Sequence, residues 1–156
     1  MQNEVPFRIW NKDSRKMLYC HEAARYILDL RNNTNDLIAS YYCGVQDHRG
    51  KKIYSGDILK KITPKSNQAD DSFIFIDFTN HNDSGFAFTV ELHKFGSDVG
   101  YFFLQDVLPD YIEDNYFRIG NIFEDNEEDD SLSWRQIAEN YKGGLVDDVQ
   151  IDFEVS

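Results

Sequence analysis

The chain has 156 residues, a length that fits one domain and leaves little room for two. Its 28 acidic side chains outnumber 16 basic ones, and the net charge of −12 excludes a protein that binds polyanions over its whole surface. Apolar residues are 41% of the total and rich in rings (12 Phe, 9 Tyr, 2 Trp), which suffices for a core, while no run approaches the roughly 18–20 apolar residues of a membrane span.

The first ten residues lack a basic stretch followed by an apolar one, so no secretory leader is expected. Residues 7–11 read as a strand, 12–15 as a polar turn and 16–20 as a returning strand, which together make a hairpin. Residues 22–30 carry apolar side chains at 23, 26, 27 and 30, a helical spacing. Residues 37–45 are apolar, aromatic and strand-like. A turn follows at 47–50, where Gly50 supplies the left-handed backbone that tight turns need. Short strands are expected at 51–54 and 58–62, separated by the turn Ser55-Gly56-Asp57. Asp57, just ahead of a strand, is placed to accept hydrogen bonds from turn amides. Residues 64–72 read as a loop.

Residues 73–79 form a continuous apolar run, as expected of a strand covered on both faces. After a turn at 80–85, Phe86, Phe88, Val90 and Leu92 alternate with Ala87, Thr89, Glu91 and His93, the pattern of a strand with one wet face. Residues 101–104 suit a further strand. Pro109 is expected to interrupt any helix in 105–115. Residues 117–123 read as a strand that ends at an acidic run. Ser133 and Gln136 fit a capping box for a helix over 134–142, with Gly143 at its end. Val149, Ile151, Phe153 and Val155 alternate with polar residues, the pattern of a closing strand. Eight or nine strands, two short helices and no strand–helix–strand rhythm predict a mainly β protein with α+β character at its margin. The expected architecture is one antiparallel, barrel-like domain over 1–156, with an acidic loop and a helix–strand extension at about 124–156.

Charge is unevenly distributed. Residues 1–65 hold 12 basic and 7 acidic side chains, a net +5, while residues 66–156 hold 4 and 21, a net −17. Either the halves interleave and neutralise each other, or the surface is polarised in a way that favours head-to-tail association or a charged partner. The first half offers Arg49, Lys51, Lys52, Lys60 and Lys61 beside Tyr54, a combination suited to a nucleic-acid groove or single strand. The second half offers Glu124, Asp125, Glu127, Glu128, Asp129 and Asp130, six carboxylates in seven residues. Mutual repulsion predicts a solvated loop there. An EF-hand counted from Asp125 fails, because its sixth and twelfth positions hold Asp130 and Gln136 instead of Gly and Glu.

Chemistry-bearing motifs are missing. There is no Gly-x-Ser-x-Gly elbow, no Walker A loop, no Cys-x-x-Cys pair and no His-Glu-x-x-His. The four histidines are scattered; His81 and His93, with Asp77 or Glu91, are the one group that neighbouring strands can assemble into a metal site. Asp77 and Glu91 are also a candidate acid–base pair. Cys20 and Cys43 are expected to be reduced thiols. The expectation is no enzyme, no cofactor and no metal.

Three stretches together resemble the YopX family: Phe7-Arg8-Ile9-Trp10 with Lys16-Met17; Gly44-Val45-Gln46-Asp47 through Gly50-Lys51-Lys52-Ile53-Tyr54-Ser55-Gly56-Asp57-Ile58; and Ile119-Gly120-Asn121-Ile122-Phe123-Glu124. The resemblance implies a mostly β fold and an origin in a phage or prophage of Gram-positive bacteria. It implies no reaction. Such proteins usually end soon after the third stretch, whereas this chain continues for some thirty residues. The leading expectation is a non-catalytic interaction protein in the bacterial cytoplasm, with a host or phage protein or a second copy as partner and no membrane. An acidic mimic of nucleic acid, or direct nucleic-acid binding by the first half, stands as the alternative.

Overall fold

The computed structural model describes residues 7–19, 22–23, 36–64, 71–80, 85–94, 97–126, 133–141 and 145–146. Eleven strands lie among them: β1 (Phe7–Asn11), β2 (Lys16–Leu18), β3 (Leu37–Gln46), β4 (Lys52–Tyr54), β5 (Asp57–Lys61), β6 (Thr63–Pro64), β7 (Ser72–Asn80), β8 (Phe86–Lys94), β9 (Ser97–Phe103), β10 (Tyr116–Asn121) and β11 (Leu145–Val146). Two short α-helices accompany them, α1 (Pro109–Asn115) and α2 (Trp134–Asn140). The fold is mainly antiparallel β, as the sequence predicts.

A four-stranded sheet, ordered β2-β1-β3-β4, curls into a half-barrel. A five-stranded sheet has the order β10-β5-β7-β8-β9. The strands of β11 and β6 form a small parallel pair, Leu145 against Thr63. The charge-rich halves interleave: β5, from the basic half, lies between β10 and β7 of the acidic half.

The run in β7 is covered on both faces from Phe73 to Ile76 and half-buried from Asp77 to Thr79. Its Ile74 and Ile76, with Leu59, Val90 and Tyr116, meet Val45 and Ile53 of the half-barrel and Ile112 of α1. Its Phe73 and Phe75, with Ile58, meet Trp134, Ile137 and Ala138 of α2. Period-two alternation sends neighbouring side chains to opposite faces, so a strand between two apolar layers must be apolar throughout. Ser133 caps α2 as expected: its hydroxyl accepts from the Gln136 amide, and the Gln136 side chain accepts from the Ser133 amide.

Three expectations need correction. Pro109 starts α1 instead of interrupting it, because the first turn of a helix does not use the amide that proline lacks. The polar face of β8 is only partly wet: α2 lies over it, Trp134 Nε1 donates to Glu91 Oε2 at 2.7 Å, Thr89 and His93 are buried, and Glu91 keeps 33% of its side chain exposed. The acidic run is solvated at Glu124 and Asp125, as expected, but begins as a 3-10 turn, Glu124–Asn126. The expected helix at 22–30 is described only at Glu22 and Ala23, where it is helical. The expected cap at Gly143 and the closing strand at 149–155 lie outside the described residues, as do Cys20 and His81.

Candidate functional site

The family-like stretches converge on one polar hub. β1 carries Arg8 into the interior, where its Nη2 donates to Asp57 Oδ1 at 2.6 Å; both side chains are 0% exposed. Arg8 Nε donates to Ser40 Oγ at 3.0 Å, Nη1 reaches the Tyr19 hydroxyl at 3.4 Å, and the guanidinium lies 4.6 Å from the centre of the Tyr54 ring. Asp57 Oδ2 accepts from the Tyr54 amide at 2.8 Å and faces Arg118 Nη1 at 3.6 Å. Burial drives the Asp57 carboxyl above the ordinary carboxylate range, against the opposing pull of Arg8, Arg118 and the Tyr54 amide. An ion pair so buried is held by mutual need: removing either partner strands the other in a medium that solvates it poorly.

The turn between β4 and β5 is fixed from the third stretch. Gly56 has φ +92°, and a Cβ there would sit 2.5 Å from the Phe123 ring. Its amide donates to Ile76 O and its carbonyl accepts from Ile122. Asn121 organises its own turn: Oδ1 accepts from the Phe123 and Glu124 amides, at 2.9 and 2.7 Å, and Nδ2 donates to Glu124 Oε1. Asp47 is a third clamp. Its Oδ1 accepts from the Arg49 and Lys51 amides, and its Oδ2 accepts from the Arg118 amide, each at 2.9 Å. That last bond, with His48 N donating to Tyr116 O, covers the outer edge of β10.

The sequence-selected surface residues are not brought together as one patch. Tyr54 is buried beneath Arg8, and Lys60, 2% exposed, donates to Asp71 Oδ1 and to Lys61 O. Both leave the candidate basic surface, because the hub and the Asp71 ion pair have taken them inside. Arg49 lies over the Phe117 ring and Lys52 over Tyr42. Lys51, Glu124 and Asp125 line one small polar recess with Arg118, Gly120 and Asn121. Lys61 is half-buried; Glu127, Glu128, Asp129 and Asp130 lie outside the described residues. Among the described residues, no three His, Cys, Asp or Glu side chains gather as metal ligands. In the β7–β8 register His93 faces Phe73, while Asp77 faces Thr89.

A surface that sequence reasoning missed is an apolar groove where the two sheets splay apart. Phe78, Phe86 and Phe88 project into it from the five-stranded sheet; Cys43, Gly44 and Val45 enter from β3, with Leu104, Val107 and Pro109 beyond them. Its volume is about 490 Å³. The rings pack together: Phe78 stacks on Phe86 at 5.3 Å and meets Phe88 at 4.7 Å and Tyr41 at 4.9 Å in tilted pairs. Phe86 is 65% exposed and Leu108 76%, and Tyr101, Phe102 and Tyr111 are also exposed. Burial pushes the Cys43 thiol in the groove wall up to about 12. The only sequence signal was the Phe86/Phe88 alternation, which reads equally as core.

Among the described residues, no helix is long and apolar enough to cross a membrane. No curated protein matches the chain. The family model described as YopX protein matches residues 6–128, which takes in the Arg8–Asp57 hub, the Asp47 clamp and the Asn121 turn, and the chain belongs to the YopX family.

Proposed function

We propose that this protein is a non-catalytic binding protein of phage or prophage origin, acting in the cytoplasm of a bacterial host. The observation that carries the reading is the division of labour among its side chains. The polar groups of the family segments are spent on the frame: Arg8, Asp47, Asp57 and Asn121 hold each other or backbone amides. Phe86 at the groove, Tyr101 and Phe102 of β9, Tyr111 of α1 and Leu108 just ahead of that helix remain in solvent. Clustered exposed apolar side chains mark interaction surfaces, because a chain with no partner gains nothing from leaving them wet. Direct nucleic-acid binding by the first half is less well supported, since Tyr54 and Lys60 are interior. The acidic mimic has Glu124 and Asp125 in its favour, but both are engaged with Asn121.

Affinity capture from infected or lysogenic cells, with quantitative mass spectrometry before and after nuclease treatment, tests the reading. One protein recovered in near-stoichiometric amount and unaffected by nuclease supports it. A complex that dissolves with nuclease, or turnover of a host metabolite by the purified chain, overturns it.

A further inference from the structure

The groove between the splayed sheets has a polar side as well as an apolar one. β9 pairs with β8 only as far as Phe103 against Thr89, then bends into the 3-10 turn Leu104–Asp106. β8 runs on to Phe86, paired with β7 throughout. Among the described residues, no strand pairs with 86–88 on the side away from β7. That stretch of backbone borders the groove, since Phe86, Ala87 and Phe88 all line it. On the facing wall β3 pairs with β1 up to Tyr41 against Phe7, the first described residue, and bulges through Cys43, Gly44 and Val45. Gly44 has φ +88° and open space where a side chain would stand. Among the described residues, the groove therefore combines an apolar floor, a strand edge with no paired strand and, at Gly44, a wall position without a side chain.

Two carboxylates stand at its rim, Asp106 and Asp110. Asp106 adjoins the lining residues Gln105 and Val107, Asp110 adjoins Pro109, and both are exposed.

We propose that this groove binds an extended apolar segment of a partner protein, flanked by Lys or Arg, which adds to the sheet along residues 86–88. Main-chain hydrogen bonds supply a strand-shaped anchor, and alternate side chains of the guest enter the ring-lined floor. The acidic rim selects basic flanks and speeds encounter. A small apolar molecule uses the floor and leaves both the strand edge and the rim charge unused. The inference rests on the binding-protein reading and names the chemistry of its partner.

Selection of random displayed peptides against the full chain, followed by fluorescence polarisation with the enriched peptides, tests the proposal. The expected winners alternate apolar residues between basic ends. Phe86→Asp should weaken them about tenfold or more, as loss of a central anchor does. N-methylation of alternate peptide amides should abolish binding. The Asp106→Lys/Asp110→Lys double variant, altered only at exposed sites, should turn the preference towards acidic flanks. Winners insensitive to Phe86→Asp, winners without basic ends, or a selection that enriches nothing over the Phe86→Asp control would each overturn it. So would a concentration-dependent dimer abolished by Phe86→Asp, because a second copy would then be the occupant. A captured host protein whose binding ignores these substitutions removes the groove while leaving the broader reading intact.

Discussion

In the hub, Arg8 donates through all three of its side-chain nitrogens, Asp57 answers with both oxygens, and neither side chain reaches solvent. At the groove the opposite holds: Phe86 stands in water, and among the described residues a stretch of strand edge beside it has no paired strand. The hub joins β1, β3, β5 and the β4–β5 turn, so it sets how the half-barrel sits on the five-stranded sheet. The groove is what that setting leaves uncovered. Family-like residues mark the joints of the frame.

The sharpest way to break this contrast is to disarm one joint. Asp57→Ala strands the Arg8 guanidinium and the Tyr54 amide, and should cost about 3–5 kcal/mol in urea denaturation. Pairing it with Arg8→Met should recover part of the loss, since no buried charge is then alone. A double variant no more stable than Asp57→Ala would show that the pair does not act as a unit. Gly56→Ala comes next. It places a Cβ at positive φ and 2.5 Å from the Phe123 ring. A loss of about 1–3 kcal/mol is expected, smaller in a Phe123→Leu background where the ring is gone. Ser133→Ala removes the α2 cap and should cost about 1 kcal/mol by the same measurement.

The groove should respond more quietly. Phe86→Ser is expected to shift stability by no more than about 0.5 kcal/mol, while reducing recovery of the captured partner. A large destabilisation would make Phe86 part of the core and erase the contrast. Cys43 sharpens it further. Its thiol is raised from an ordinary 9.0 to about 12, so iodoacetamide should label the folded chain slowly at neutral pH, and a bound guest should slow labelling again. The sign follows from linkage: the folded state holds this proton more tightly than the unfolded one. The stability it contributes is fully present below about pH 9 and is lost as pH climbs towards 12.

Much of the frame was legible in the sequence, for reasons that are local. The first hairpin, the β7 and β8 runs and the Ser133 capping box announce themselves through period-two alternation and fixed short-range spacing. What was hidden depends on pairs distant in the chain. Arg8 sits in a strand between Phe7 and Ile9, and nothing local tells that Asp57, 49 positions on, brings it inside. Lys60 looked like surface charge for the same reason, its partner Asp71 lying across a connection. Glu91 and His93 spelled a polar face correctly, but nothing local told that Trp134 would cover it. Pro109 was misread because proline is a breaker inside a helix and a starter at its first position. The groove is invisible by its nature: floor, wall and rim come from separate strands, and each Phe obeys the rule for a core.

The placement of α2 carries one more consequence. The family segment stops at residue 128, yet Trp134, Ile137 and Ala138 clothe Ile58, Phe73 and Phe75, which lie inside it. A gene trimmed at that boundary would yield a sheet with a bare greasy back, prone to clump in the test tube.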